Sequence, residues 1–165
     1  MSFGFLVAAF LATTNAGRVA LVALTARPGR REWAIAVVAG AALVVAGVLV
    51  ADPLLDALSI SPPSFRLAAG IVLLAAGLKT LVWPAPAPGP FAAVLVTPEL
   101  AVVAISFGAD EPAGKVLAAA ALGLLPLVLA ARAQRPGTSA VVARLLAALQ
   151  IVAGVALGVN GIRDV

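Results

Sequence analysis

The chain has 165 residues, of which 63% are hydrophobic and 11% charged, with a formal net charge of +4. Its mean hydropathy of +1.15 leaves too little polar surface for a water-soluble domain, so the chain reads as an integral membrane protein whose first partner is the lipid bilayer. Cysteine and histidine are absent. That excludes disulfides, thiol redox chemistry and the usual thiolate and imidazole metal sites, and no cofactor or metal is expected. The basic residues lie in short connections between apolar runs, so no nucleic-acid partner is implied.

Taken in order, apolar runs of membrane-spanning length cover about 3–26, 33–51, 65–83, 90–107, 115–131 and 141–160, each near the roughly 20 residues a bilayer requires. Alanine and leucine dominate and no alternating pattern appears, so all six are expected as helices. The first run lacks a basic leader and is long enough to be a span rather than a signal peptide. It carries Thr13-Thr14-Asn15-Ala16-Gly17-Arg18 at its centre. Side chains of this kind compete for backbone hydrogen bonds, and glycine adds conformational freedom, so the helix is expected to unwind there. The fourth run carries Thr97-Pro98-Glu99. Its proline removes a donor and clashes with the preceding turn. Turn formers separate the spans at Arg27-Pro28-Gly29, Ser61-Pro62-Pro63, Pro84 to Pro90, Ala109 to Gly114 and Gln134-Arg135-Pro136-Gly137.

Charge sets the orientation. Arg27, Arg30 and Arg31 occupy the first connection, Lys79 precedes the third, and Arg132 and Arg135 lie in the fifth. Asp52, Asp56, Asp110 and Glu111 occupy the second and fourth. The odd connections are therefore expected on the cytoplasmic side of a bacterial inner membrane and both termini on the outer face. Trp33 and Trp83 then fall at the cytoplasmic interface.

The interrupted spans are the first and the fourth, and the third and sixth open alike: Phe65-Arg66-Leu67-Ala68-Ala69 against Ala143-Arg144-Leu145-Leu146-Ala147. Three spans per half turns the second half upside down. The expected fold is all-α and polytopic: two inverted three-helix repeats, residues 1–83 and 90–165, in one membrane domain. Such repeats commonly hold a site at their interface near the midplane.

Thr13, Thr14, Asn15, Gly17, Arg18, Thr97, Pro98 and Glu99 are the candidate binding residues. A buried charge costs at least about 2.5–3.5 kcal/mol in hydrocarbon, so Arg18 and Glu99 call for a reason. Three readings stay open: both face one polar cavity, they form a structural ion pair, or Arg18 snorkels to the interface. Glu99 is the candidate proton-coupling group, since a low-dielectric cavity favours the neutral carboxyl. Gln150 and Asn160 are the polar residues of span six, with Asn160-Gly161 read as a helix end. Gly154 and Gly158 form a GxxxG pattern read as close helix packing.

The stretch Ile60-Ser61-Pro62-Pro63-Ser64-Phe65-Arg66-Leu67-Ala68-Ala69-Gly70, with Gly77 and Lys79, resembles the third span of the MarC family of bacterial inner-membrane proteins. Arg144-Leu145, Gly154 and Asn160-Gly161-Ile162 resemble the last span of that family. Asn15 and Pro98 match the family's interrupted spans, while Ala16, Thr97 and Glu99 stand where the family has proline and glycines. Arg18, too, departs from the family. The resemblance implies a six-span protein related to the LysE-type exporter superfamily. The expected function is a secondary transporter or exporter of a small polar or zwitterionic solute, ion- or proton-coupled; the chain leaves room for a homo-oligomer. A non-transporting assembly subunit is the alternative. An enzyme is disfavoured, because Glu99 is the only carboxylate away from loops and ends.

Overall fold

A computed structural model describes residues 1–26, 28–83, 96–130 and 136–164. These fold into helices: α1 (Phe3–Thr14), α2 (Ala16–Ala26), α3 (Arg30–Leu49), α4 (Ala51–Leu58), α5 (Pro62–Val82), α6 (Pro98–Asp110), α7 (Ala113–Ala130) and α8 (Pro136–Arg163). The chain is all-helical among the described residues. Among the described residues, four stretches are long and apolar enough to cross a membrane: Phe3–Thr25, Arg30–Leu49, Pro62–Val82 and Ser139–Arg163. Ala113–Leu125 of α7 is apolar but shorter. At 13 residues, α6 reaches only about 20 Å, less than a bilayer's hydrocarbon thickness. The earlier part of the expected fourth span, 90–95, lies outside the described residues, as do Arg27, Arg132 and Arg135.

Local chemistry explains most boundaries. Ser2 caps α1 by accepting from the Phe5 N–H, and Ser61 caps α5 by accepting from the Ser64 N–H. Pro62 and Pro63 then sit where helix N–H groups have no partner anyway. The expected second span runs on past Leu49 into α4, which begins at Ala51. Pro53 accounts for the joint, because its ring clashes with the carbonyl four residues earlier. Asn160 does not end the last helix, which continues to Arg163.

Helix directions follow from close contacts. A Cβ on Gly123 would lie 2.6 Å from the Phe10 Cβ, and Met1 meets Glu111 just before α7; α1 and α7 therefore run parallel. Gly47 abuts Ala104 and Ile105, and Gly108 abuts Val48 and Ala51, so α3 and α6 are parallel too. By contrast α5 and α8 are antiparallel. Gly161 faces Pro63 and Leu67, Gly70 faces Gly154 and Gly158, and Gly77 faces Ala147 and Ile151. A Cβ on Gly70 would lie 2.5 Å from the Gly154 carbonyl oxygen. Glycine is required here because the two backbones touch, as in GxxxG packing between membrane helices.

The first span is central: 67% of its window is buried, against 28% for Arg30–Leu49 and 33% for Pro62–Val82 and for Ser139–Arg163. Its N-terminal half joins a core of Leu6, Phe10, Val48, Leu73, Leu100 and Phe107, among others. The Phe107 ring is met edge-on by Phe10 at 5.7 Å and by Phe5 at 6.1 Å, the geometry aromatic quadrupoles prefer. A second cluster of Val19, Val22 and Ala36, with Trp33 and Leu146, fills the opposite end. Val38, Ile71 and Val152 are among the large apolar side chains left exposed, as expected of a surface whose solvent is lipid.

Candidate functional site

The site is best located from one end of the bundle, where charges tie the helix ends together. Arg66 in the second turn of α5 grips Asp110 at the end of α6 with two bonds, Nε to Oδ2 at 2.8 Å and Nη2 to Oδ1 at 2.6 Å. The same guanidinium pairs with Asp164, just past α8. Beside this knot the Met1 ammonium pairs with Glu111, and Lys115 bonds Glu111 at 2.6 Å and the Met1 carbonyl at 2.8 Å. Lys115 first, and then the Met1 amine, hold the Glu111 carboxyl below its ordinary range. The N-terminus, the second and fourth connections and the end of α8 thus share one end. Trp33 and Trp83 share the other.

Four chain segments descend from this tie, and helix geometry gives their depths at 1.5 Å per residue. Along α1, Asn15 lies about 21 Å from Met1. Along α6, Glu99 lies about 17 Å from Asp110. Along α5, Thr80 lies about 21 Å below Arg66, and along α8, Gln150 lies about 21 Å below Asp164. Both interruptions therefore sit at nearly one level, about 17–21 Å from the tie.

The first interruption is one residue wide. Asn15 adopts a left-handed conformation, φ 42° and ψ 74°, which asparagine tolerates better than most residues. Its side chain secures both flanks. Oδ1 accepts from the Arg18 N–H at 3.1 Å, capping α2, and Nδ2 donates to the Ala143 carbonyl at 3.1 Å, pinning the break to α8. The wider unwinding expected from the sequence is absent: the Asn15 N–H still reaches Leu11 O, and the Val19 N–H reaches Asn15 O. Gly17 is needed for the approach, since a Cβ there would lie 2.2 Å from the Ala143 nitrogen. Thr13 and Thr14 donate to their own helix, to Ala9 O at 2.6 Å and to Phe10 O at 3.0 Å. Their lone pairs are free to accept.

At the second interruption, Pro98 begins a helix rather than kinking one. Thr97 is extended and accepts from the Leu100 N–H at 3.3 Å, and Pro98 follows at the first helical position. Glu99 Oε2 is buried without a hydrogen-bond partner. So is Ser106 Oγ, between Glu99 and Asp110 along α6. An unpartnered buried acceptor costs about 1–3 kcal/mol, more for a charged group.

Arg18 is half-buried one turn beyond the Asn15 break, about 26 Å from Met1. Its guanidinium pairs with no carboxylate among the described residues, Glu99 included. The break and Glu99 therefore share a level, while Arg18 stands deeper toward the tryptophan end. Thr80 and Gln150, each 3% exposed, are buried polar residues that the sequence did not single out as binding groups; Thr80 lies near the Asn15 level, whereas Gln150 stands about 10 Å nearer the tie than Ala143, the residue Asn15 bonds. Only the tertiary packing reveals them.

No family model, curated protein or solved structure matches this chain. Its functional reading therefore rests on the residues and their geometry.

Proposed function

We propose that the chain is a secondary transporter of the inner-membrane MarC type, an exporter of a small polar or zwitterionic solute, with its site at mid-depth where the two interrupted spans face each other. The observation that carries this reading is the buried, unpartnered Glu99 oxygen beside a helix that starts inside the apolar layer. Ionisable groups at such depth are usually functional. A non-transporting assembly subunit would instead have Arg18 and Glu99 paired and dry. Neither group has an ionic partner among the described residues.

The reading includes six spans in two inverted halves, with both termini on the outer face. Helix directions support the inversion. Exchanging span one with four, two with five and three with six turns the parallel pair α1–α7 into the parallel pair α6–α3. The same exchange maps the antiparallel α5–α8 pair onto itself. Inverted repeats of this kind move a midplane site between the two sides by rocking one half against the other. The acidic connections at the tied end and the Arg30–Arg31 turn at the far end support the orientation. Solute and coupling ion would both use the Asn15–Thr97–Glu99 level, with Arg18 receiving an anionic group from the cytoplasmic side. The reading assigns no catalysis to the chain.

Single cysteines at Ala16 and Leu100, in this naturally thiol-free chain, provide the test in sealed vesicles. Reaction with water-soluble thiol reagents from one side at a time supports alternating access. Inert thiols at both positions, from both sides, refute it.

A further inference from the structure

We propose that Arg18 and Arg144 clamp the phosphate of an anionic phospholipid whose acyl chain lies in an apolar groove along the lipid-facing side of α8. The site goes beyond the transport reading and holds whether or not a solute also reaches Arg18. Two observations carry it: the two guanidiniums emerge side by side without an ionic partner, and an exposed groove opens close to them on the same helix.

The backbone contact between α2 and α8 places the pair. A Cβ on Gly17 would lie 2.6 Å from the Ala143 Cα. Neighbouring Cα atoms are about 3.8 Å apart, so those of the next residues, Arg18 and Arg144, lie at most about 12 Å from each other. Two arginine side chains reaching toward one point span that distance. Their direction follows from helix geometry. The α2 helix runs away from the ionic tie and α8 runs toward it, so the two are antiparallel. One residue beyond the contact, each chain has turned by about 100°. Seen down the pair, these turns have opposite senses, and Arg18 and Arg144 therefore leave the contact on the same flank. That flank faces out of the bundle: Arg144 and Ala148 are exposed on α8, and Thr25, two turns on from Arg18, is exposed on α2. Its depth suits an interface. Arg18 lies about 26 Å from Met1 along α1 and α2, and Trp83 about 26 Å from Arg66 along α5. Tryptophan is enriched where membrane meets water.

Neither guanidinium forms a hydrogen bond or an ion pair among the described residues. Asp110, Glu111 and Asp164 are engaged in the tie at the other end. Asp52 and Asp56 follow α3 at that same end, and Glu99 sits at mid-depth. Only Glu32, in the first turn of α3, is left at the tryptophan end, against Arg18, Arg30, Arg31 and Arg144. Two like charges this close repel unless an anion lies between them. A phosphate diester offers oxygens to both, and the guanidinium fork matches phosphate geometry. A choline or ethanolamine head would bring a third cation to the pair, so the site selects anionic lipids, the headgroups that basic pockets between membrane helices recognise. The groove decides the source of the phosphate. It encloses about 460 Å³ and is lined by Ile151, Val152, Val155, Ala156, Val159 and Asn160. Ile151 lies seven residues past Arg144, about 10 Å along the helix, with exposed Ala148 between them. From there the groove leads toward the tie, the direction an acyl chain takes from a headgroup held at the tryptophan end. A soluble phosphate would have no use for it.

The test reconstitutes purified full-length protein in phosphatidylcholine with a trace of chain-spin-labelled lipid and reads the motionally restricted fraction of the label. Phosphatidylglycerol should be held at least ~10-fold more tightly than phosphatidylcholine with the same chains, since each arginine near the surface contributes about a factor of 5. Arg18→Gln and Arg144→Gln should each lose about that factor of 5, and the lysine variants, which keep the charge, should lose less. Arg31→Gln, at the same end but outside the pair, should change retention by less than ~2-fold. Ala156→Phe, which fills the groove and alters no charge, should also weaken phosphatidylglycerol, while Val38→Phe on α3, where the native side chain is 67% exposed, should not. Glycerophosphoglycerol, the headgroup without its chains, should fail to displace the labelled lipid. Equal retention of the two lipids, or a preference that Arg31→Gln lowers as much as Arg18→Gln does, would overturn the site in favour of general surface charge. Displacement by glycerophosphoglycerol, or indifference to Ala156→Phe, would overturn the lipid as its occupant. None of these readouts involves thiol access at Ala16 or Leu100, so the site and the transport reading fail separately.

Discussion

Gly70 provides the sharpest test of how α5 and α8 are held. An alanine Cβ there would sit 2.5 Å from the Gly154 carbonyl oxygen, 2.6 Å from the Gly158 nitrogen and 2.9 Å from the Gly158 Cα. Ordinary contact for a Cβ begins near 3.4 Å, so the helices must part by about 0.9 Å, the difference between 3.4 and 2.5. All three obstructing atoms are backbone, so no side chain can rotate away. Overpacking of this kind costs about 1–3 kcal/mol, and the rigidity of both partners argues for the upper part of that range. Alanine's helix propensity returns at most about 1 kcal/mol. Gly70→Ala should therefore lose about 2 kcal/mol net in reversible unfolding in mixed detergent micelles. Gly114→Ala, where nothing lies within 4 Å, should be neutral or slightly stabilising. Once the helices have parted, Gly154→Ala should add little, so the double variant should lose less than the sum of the singles. A Gly70→Ala protein as stable as Gly114→Ala would refute the backbone contact and the depth scale drawn along these helices.

The ionic tie and the Asn15 break can be tested in the same way. Removing the Arg66 guanidinium leaves Asp110, whose side chain is only 12% exposed, as a buried charge without its partner; Arg66→Met should cost about 3–5 kcal/mol in the same unfolding assay. Asp164→Asn should cost under about 1 kcal/mol, because that carboxylate is 53% exposed. Asn15→Ala should lose about 2 kcal/mol from two hydrogen bonds, with a further 1–2 kcal/mol from a left-handed alanine; Asn15→Gly should recover only the second part. Glu111 has its carboxyl held below the ordinary range by Lys115 and the Met1 amine. Its contribution to stability is complete above the ordinary carboxylate range and disappears as pH falls through its depressed value. Glu111→Gln should accordingly flatten the acid limb of a melting-temperature profile and lower stability near neutrality; an unchanged acid limb would refute that pairing.

Legibility in the sequence followed the range of the interaction. Breaks set by one side chain and its neighbours could be read directly: Asn15 does interrupt the first span, and Ser61-Pro62-Pro63 does start α5. Gly154 could be read as a packing position, since a Cβ there would lie 2.7 Å from the Gly70 carbonyl oxygen, whereas Gly158 needs no glycine on its own account, a Cβ there meeting only Leu67 Cδ1 at 3.7 Å. The extent of the Asn15 break could not, because its side chain caps α2 and reaches Ala143, 128 positions away, which keeps the helix wound on both sides. Pro98 was legible as an interruption but not as a helix start, which depends on Thr97 being extended. Asn160-Gly161 had the composition of a helix end, yet Gly161 is held against Pro63 and Leu67 and the helix runs through.

In the proposed transporter, residues near Asn15 and Thr97 occupy a level that is deep in the bilayer and nevertheless wet. Nitroxide labels at Thr14 and Thr97 in bilayers hydrated with deuterium oxide measure both properties at once, depth from relaxation by oxygen and water from deuterium modulation of the spin echo. Central depth together with strong deuterium coupling is expected at both sites, while the lipid-facing control at Val152 should be deep and dry. Labels at Thr14 and Thr97 that are as dry as the control, or that lie at different depths from each other, would contradict it.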